Sequence, residues 1–278
     1  MLFGTHVSIK GGVQNAPVYA QEMKQTTFQF YTRNARSWKA KPLMEEAVTE
    51  FKKRRLELGF EKIVVHMPYL PNLSNVEEES IRRTRETLLS EIERCARLEV
   101  DFLVLHLGSH KGAGSERGIK NVITHLNAVP YTDVTLLLEN TAGSKNAVGS
   151  DFREIAQIFD ELDRPNNFGV CLDTCHTHAA GYDLSAEHTN ESLDLIHSQL
   201  DLRKVKIIHV NDAIAEAGSH RDRHWHIGLG TIGMQGFRNF FHHEQIRDSD
   251  LPLILETPIT EERDDLGNLK VLRNIVNE

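Results

Sequence analysis

Eight short apolar runs recur along this chain, separated by longer amphipathic stretches, and that rhythm limits the fold more than any other feature. The runs span 2–9, 27–32, 62–69, 101–109, 134–141, 167–176, 205–213 and 251–258. Several have near-continuous apolar centres, such as Ile63-Val64-Val65, Phe102-Leu103-Val104-Leu105 and Leu136-Leu137-Leu138. Unbroken apolar runs of this length suit parallel strands buried on both faces. The clearest intervening helices are expected over 43–58, 78–98 and 151–162, with Gly59 as the stop of the first. Strand then helix, repeated eight times, predicts an α/β fold, a (β/α)8 TIM-type barrel. An open doubly wound sheet is the rival, but no GxGxxG follows the first strand. The 278 residues, 40% of them hydrophobic, match one barrel of roughly 250 residues, so a single catalytic domain over 1–278 is expected. No low-complexity tract, linker, membrane-length apolar run or signal-peptide pattern is evident. Three cysteines, Cys95, Cys171 and Cys175, point to a reducing cytoplasm rather than a disulfide framework.

Six of the eight runs close on a residue able to ligate a metal. IVVHMPY supplies His66, LVLHLGSH supplies His106 and LLLENTAG supplies Glu139. GVCLDTCHTHAAGYD supplies Asp173 and His176, KIIHVNDA supplies His209 and LILETP supplies Glu256. In a barrel these ends meet on the C-terminal face, where such folds hold their active sites. One histidine at a strand end is most often a capped or core residue. Six strands ending this way are much harder to reach by chance, and burying so many imidazoles and carboxylates without a cation is costly. Histidine with carboxylate suits zinc, manganese or iron. The segment DRHWHIGLGTIG follows the seventh strand. Asp222 and His224, two residues apart, face one side of an extended chain, with Arg223 on the other. Gly228, Gly230 and Gly233 permit tight turns or close approach. Cys171 and Cys175 read as structural thiols, with a ligand role left open.

With these motifs in view the chain resembles the endonuclease IV family of zinc-dependent apurinic/apyrimidinic endonucleases. The matching pieces are THVSIKGG, ENTAG, DTCH, HVNDA, DRHWHIGLGTIG and ETP, spread over nearly the whole length. The resemblance implies a barrel with three zinc ions held by His66, His106, Glu139, Asp173, His176, His209, Asp222, His224 and Glu256. It implies that Glu139 bridges two metals, that Asp173, His209 and Glu256 complete the second site, and that His176, Asp222 and His224 form the third. Glu139 and Glu256 are the expected catalytic carboxylates. Leu107 stands where the family commonly has proline after the fourth-strand histidine, which removes no ligand.

The implied activity is repair of double-stranded DNA containing abasic sites, by a cytoplasmic monomer. In-line attack by hydroxide would cut the phosphodiester 5′ to the lesion, leaving a 3′-hydroxyl and a 5′-deoxyribose phosphate. Zinc lowers the pKa of water to about 7, which makes hydroxide available at neutral pH. The resemblance also places Arg36, Tyr69 and Leu70 as the side chains that fill the duplex where the abasic sugar flips out. By residue type Tyr69 can stack on a base and Leu70 can wedge at a step. Arg33, Arg36, Lys39 and Lys41 are expected to be exposed after strand two, either meeting the DNA backbone or forming a solvated loop. A net charge of −8 looks wrong for a DNA-binding protein, but three zinc ions would bring it to −2 and leave the mouth attractive to phosphate. Two rivals remain: a metal-dependent sugar isomerase or epimerase on the same barrel, and a metal-stabilised DNA-binding protein without activity. The third ligand set disfavours the first and the full set disfavours the second.

Overall fold

The structure is a computed structural model that describes residues 1–247 and 249–278. Among the described residues the main sheet has eight strands: β1 (Leu2–Thr5), β2 (Phe28–Phe30), β3 (Ile63–His66), β4 (Phe102–His106), β5 (Thr135–Glu139), β6 (Phe168–Asp173), β7 (Val205–His209) and β8 (Pro252–Leu255). Each lies inside one of the eight apolar runs. Their order is β1-β8-β7-β6-β5-β4-β3-β2, and every ladder is parallel. Between the ends of that list a single parallel bridge joins His6 to Gln29, and Val7 N donates to Gln29 O at 2.7 Å. The sheet is therefore a barrel with a thin seam between β1 and β2.

Alternation along the strands builds two cores. Val64, Val104, Leu137, Cys171, Ile207 and Ile254 form a compact cluster inside the barrel. Their neighbours Ile63, Val65, Leu103, Leu105, Leu136 and Leu138 belong to the larger core shared with the helices. Side chains two residues apart share a face. Stepping two residues on from the inner cluster gives His66, His106, Glu139, Asp173, His209 and Glu256. The barrel interior thus changes from apolar to imidazole and carboxylate in one layer, at its C-terminal end.

The helices follow local rules. The first two long ones are α2 (Glu45–Glu57) and α3 (Glu78–Leu98), after the short α1 (Ala16–Glu22). The α3 helix buries Leu88, Ile92, Cys95 and Leu98, a helical stripe, with Glu78 and Glu79 in its first turn and Arg97 in its last. Gly59 follows α2 with φ 74°, the left-handed stop expected of it. That helix begins at Glu45 rather than 43, because Met44 is still extended. After α4 (Ser115–Asn127), α5 (Phe152–Asp160) is capped by Asp151, whose side chain accepts from Arg153 N at 2.9 Å. No helix among the described residues is long and apolar enough to cross a membrane.

Candidate metal centre

Glu139 sits fully buried at the end of β5, with imidazole neighbours on both carboxylate oxygens. Its Oε2 lies 3.2 Å from His66 Nε2 and 3.3 Å from His106 Nδ1. Its Oε1 lies 3.1 Å from His209 Nδ1, which is also 3.4 Å from Glu256 Oε2 and 3.9 Å from Asp173 Oδ2. Beside it, Asp222 reaches His176 Nε2 and His224 Nε2, both at 3.3 Å. His224 Nε2 is 3.5 Å from Asp173 Oδ2. Besides two sets that include a buried thiol (Glu139, Cys171 and His209; Asp173, Cys175 and His224), three sets of donor atoms result, each within 4.8 Å: His66, His106 and Glu139; Glu139, Asp173, His209 and Glu256; His176, Asp222 and His224. Glu139 is common to the first two of these three.

These residues fit divalent metals of the zinc type. Ligands about 2.0–2.1 Å from a tetrahedral ion lie roughly 3.3–3.4 Å from one another. Most of the separations here cluster near that value, longer than the ~2.9 Å of a good N–H···O bond. His224 Nε2 is buried with no hydrogen-bond partner, an arrangement that is costly unless something else takes its lone pair.

Backbone carbonyls aim the rings. His66 Nδ1 faces Met67 O at 2.7 Å, His176 Nδ1 faces Asn140 O at 2.9 Å, and His224 Nδ1 faces Glu256 O at 3.2 Å. A carbonyl only accepts, so Nδ1 carries the proton in each ring and Nε2 is left free to ligate. Asp173 is held from several sides. Its backbone N donates to Asn140 Oδ1 at 2.8 Å, and its Oδ2 accepts from Asn211 Nδ2 at 2.8 Å. Its Oδ1 accepts from His176 N at 2.7 Å. That last bond corrects the expected strand end: β6 stops at Asp173, which caps the helix α6 (Thr174–Ala180), and His176 occupies the helix's first turn.

The loop carrying Asp222 and His224 is pinned by Asp212. This buried carboxylate accepts from the amides of Ala213 at 2.8 Å, Gly228 at 2.8 Å, Gly230 at 2.9 Å and Ile232 at 3.0 Å. Gly230 admits no side chain, since a Cβ there would lie 2.3 Å from Ala213 O. A two-residue antiparallel ladder pairs Asp212 with Trp225 and Ala213 with His224, which carries the His224 ring back over the barrel mouth.

Charge explains how so many acids coexist. Burial works to raise the Glu139 and Glu256 carboxyls, but the imidazoles of His106 and His209 around the first, and of His209 around the second, hold both well below the usual range. Burial lowers His106. Burial pushes the Cys171 thiol up to about 12 and raises Cys175 as well, in keeping with neutral packing groups. All three cysteines are buried and free.

Above the cluster a cleft of about 430 Å³ is lined by His6, Tyr31, His66, Tyr69, His106, His176, Asp222, His224 and Glu256, among others. Tyr69 and Leu70 are exposed on the loop after β3, and Arg36 is exposed on the loop after β2. Tyr69 N donates to Ala35 O at 3.1 Å, tying the two loops together at the rim. Lys39 and Lys41 are exposed, but Arg33 is not. It is buried with its Nε 3.2 Å from Glu91 Oε1, which corrects its expected place in an exposed basic patch. A larger cleft, about 770 Å³, is lined by Arg33, Lys39, Lys41 and Arg94 with no acid or imidazole, so it lacks the groups for hydrolysis. Leu107 is buried, and its carbonyl accepts from Ser74 Oγ at 2.6 Å, while His106 keeps its place beside Glu139.

Sequence reading missed His6, Gln29, Tyr31, Asn140, Asn211 and Asp212. One signal was available: Gln29 interrupts the apolar FQF of β2, and a polar residue between two buried phenylalanines needs partners. Asn140 directly follows Glu139 and Asn211 lies two residues beyond His209, yet nothing in their spacing marks them.

A family model described as a xylose isomerase-like TIM barrel matches residues 18–275. The probable endonuclease 4 of Cenarchaeum symbiosum is 44% identical over 278 residues, covering 98% of this chain and 99% of that protein. The probable endonuclease 4 of Nitrosopumilus maritimus is 42% identical, covering 97% and 98%. Among solved structures, endonuclease IV from Thermus thermophilus superposes with a TM-score of 0.88 at 34% identity, covering 100% of this chain and 99% of that one. A D-tagatose 3-epimerase-like protein superposes with a TM-score of 0.75 at 17% identity, covering 100% and 97%, a likeness of fold alone.

Proposed function

This chain belongs to the endonuclease IV family of TIM-barrel nucleases, and on that premise we propose that it repairs DNA by cutting the phosphodiester 5′ to abasic sites, with three zinc ions, leaving a 3′-hydroxyl and a 5′-deoxyribose phosphate. The observation that carries the reading is the division of nine side chains into three donor sets, two of which share Glu139, at the floor of an open cleft. When bound there, zinc ions supply Lewis-acid stabilisation of phosphoryl oxygens and a nucleophile at neutral pH.

The chain's own residues do the positioning. Glu139 offers one oxygen to each of two sets and so fixes their separation. Glu256 lines the cleft, and we assign it the role of orienting the attacking water. Arg36, Tyr69 and Leu70 stand on the rim, where they are assigned to fill the duplex as the abasic sugar enters the cleft. Flipping costs least where base pairing is already lost. A sugar epimerase on the same barrel is supported by fold alone, and the set His176, Asp222 and His224 argues against it.

Two measurements test this. Elemental analysis of purified protein is expected to give three zinc per chain alongside nicking of an abasic duplex; one metal or fewer in active protein overturns the reading. Tyr69→Ala should lose a stacking contact of about 1–3 kcal/mol, roughly 5- to 150-fold weaker binding of abasic duplex. Metal content should stay unchanged, and undamaged duplex should be affected far less. Equal losses on both duplexes at one salt concentration would make Tyr69 a loop-packing residue.

A further inference from the structure

Gln29 is fully buried on β2, one of the two strands that bring none of the nine donors, yet it touches the centre from the opposite wall. Its Nε2 donates to Glu256 Oε1 at 2.6 Å and lies 3.1 Å from His6 Nδ1. Its Oε1 lies 2.8 Å from His209 Nε2. Both hydrogens and the oxygen of the amide are therefore engaged.

These contacts determine one another. A carboxylate only accepts, so the amide NH2 must face Glu256. The amide oxygen then faces His209, which must carry its proton on Nε2. With Nε2–H committed to Gln29, Nδ1 is the nitrogen left to hold a cation, and Nδ1 is the atom that faces Glu139, Glu256 and Asp173. The second amide hydrogen faces His6 Nδ1, which must accept, so His6 is neutral with its proton on Nε2. The side chain of His6 also lines the cleft, where an Nε2–H is a donor.

We propose that Gln29 is a positioning residue of the second donor set: it selects the ligating nitrogen of His209, holds the Glu256 carboxylate, and sets His6 as a neutral donor at the cleft. It rests on the metal reading of the cluster. The role is distinct from packing because an apolar residue of the same size would fill the space and leave both imidazoles free to change tautomer.

The test compares wild type with Gln29→Leu. Zinc affinity is read by competition with a chelator, and ring tautomers by 15N NMR of labelled histidine in the zinc-loaded protein. In wild type, His209 and His6 are expected as Nε2–H tautomers. In Gln29→Leu one of the three zinc ions should bind 10- to 100-fold more weakly, the usual penalty for losing a group that orients a ligand. At least one of the two rings should change tautomer. Unchanged tautomers and unchanged affinity for all three ions would overturn the proposal. A wild-type protein that binds no zinc would instead overturn the metal reading, so the two failures are distinguishable. If Gln29→Leu does not fold, judged by melting of the metal-free protein, Gln29→Glu carries the test. It keeps an acceptor for His209 but replaces the NH2 that faces Glu256 and His6 by an oxygen. A tenfold or greater loss for one zinc supports the proposal, and wild-type affinity overturns it.

Discussion

Glu139→Gln is expected to reduce nicking of an abasic duplex by roughly 100-fold or more while DNA affinity stays within a few-fold of wild type. The carboxylate faces His66 and His106 with one oxygen and His209 with the other, all within 3.1–3.3 Å. An amide has one acceptor oxygen and one donor nitrogen, so it can serve one donor set and must repel a cation in the other. Metal assistance is worth several kcal/mol of transition-state stabilisation. Losing even ~2.7 kcal/mol is a factor of about 100 in rate. Glu139 lies beneath the cleft, so DNA contacts at the rim should survive. Single-turnover nicking and duplex titration of the same preparation make the check. Wild-type turnover would remove Glu139 from the mechanism. Equal loss of binding and rate would point to a collapsed site.

Stripping the metals should abolish nicking and lower the melting temperature by roughly 10 °C. A ligand present at 1,000 times its Kd stabilises the folded state by about 4.1 kcal/mol. In a domain near this size each 1 kcal/mol moves Tm by about 2–4 °C. The effect should depend on pH in a definite direction. In the metal-free protein burial works to lower the His176 pKa, but Asp173 and Asp222 outweigh it and raise it to about 10. A folded pKa above the unfolded value of about 6.5 means the proton stabilises the fold fully below about pH 6.5. That contribution is lost as pH rises toward 10. A cation takes the proton's place in the loaded protein, and metal binding itself strengthens as imidazoles deprotonate. The gap in Tm between loaded and stripped protein should therefore widen from pH 6 to pH 9. A gap that is constant or narrows, measured by calorimetry at fixed ionic strength, would contradict the exchange of proton for metal.

The barrel and the polar side chains that close its strands were legible in the chain because their causes are local. An apolar run with β-branched residues makes a buried strand wherever it lies, and period two places a residue such as His106 on the same face as Val104. Strand ends of a barrel converge by construction, so a polar residue closing each run reveals the layer before any contact is known. What the sequence left open depended on partners far along the chain. Asp173 as a helix cap, and so His176 on α6, turned on a polar residue beginning a helix inside what reads as one continuous run. Arg33 looked exposed in a basic loop, but Glu91 on α3 draws it inside. The choice of nitrogen on His209 rests on Gln29, 180 residues away, and the same amide meets Glu256 across 227 residues. A proton on one side of an imidazole or the other is decided by whichever acceptor faces it, and only the closed barrel brings that acceptor within reach.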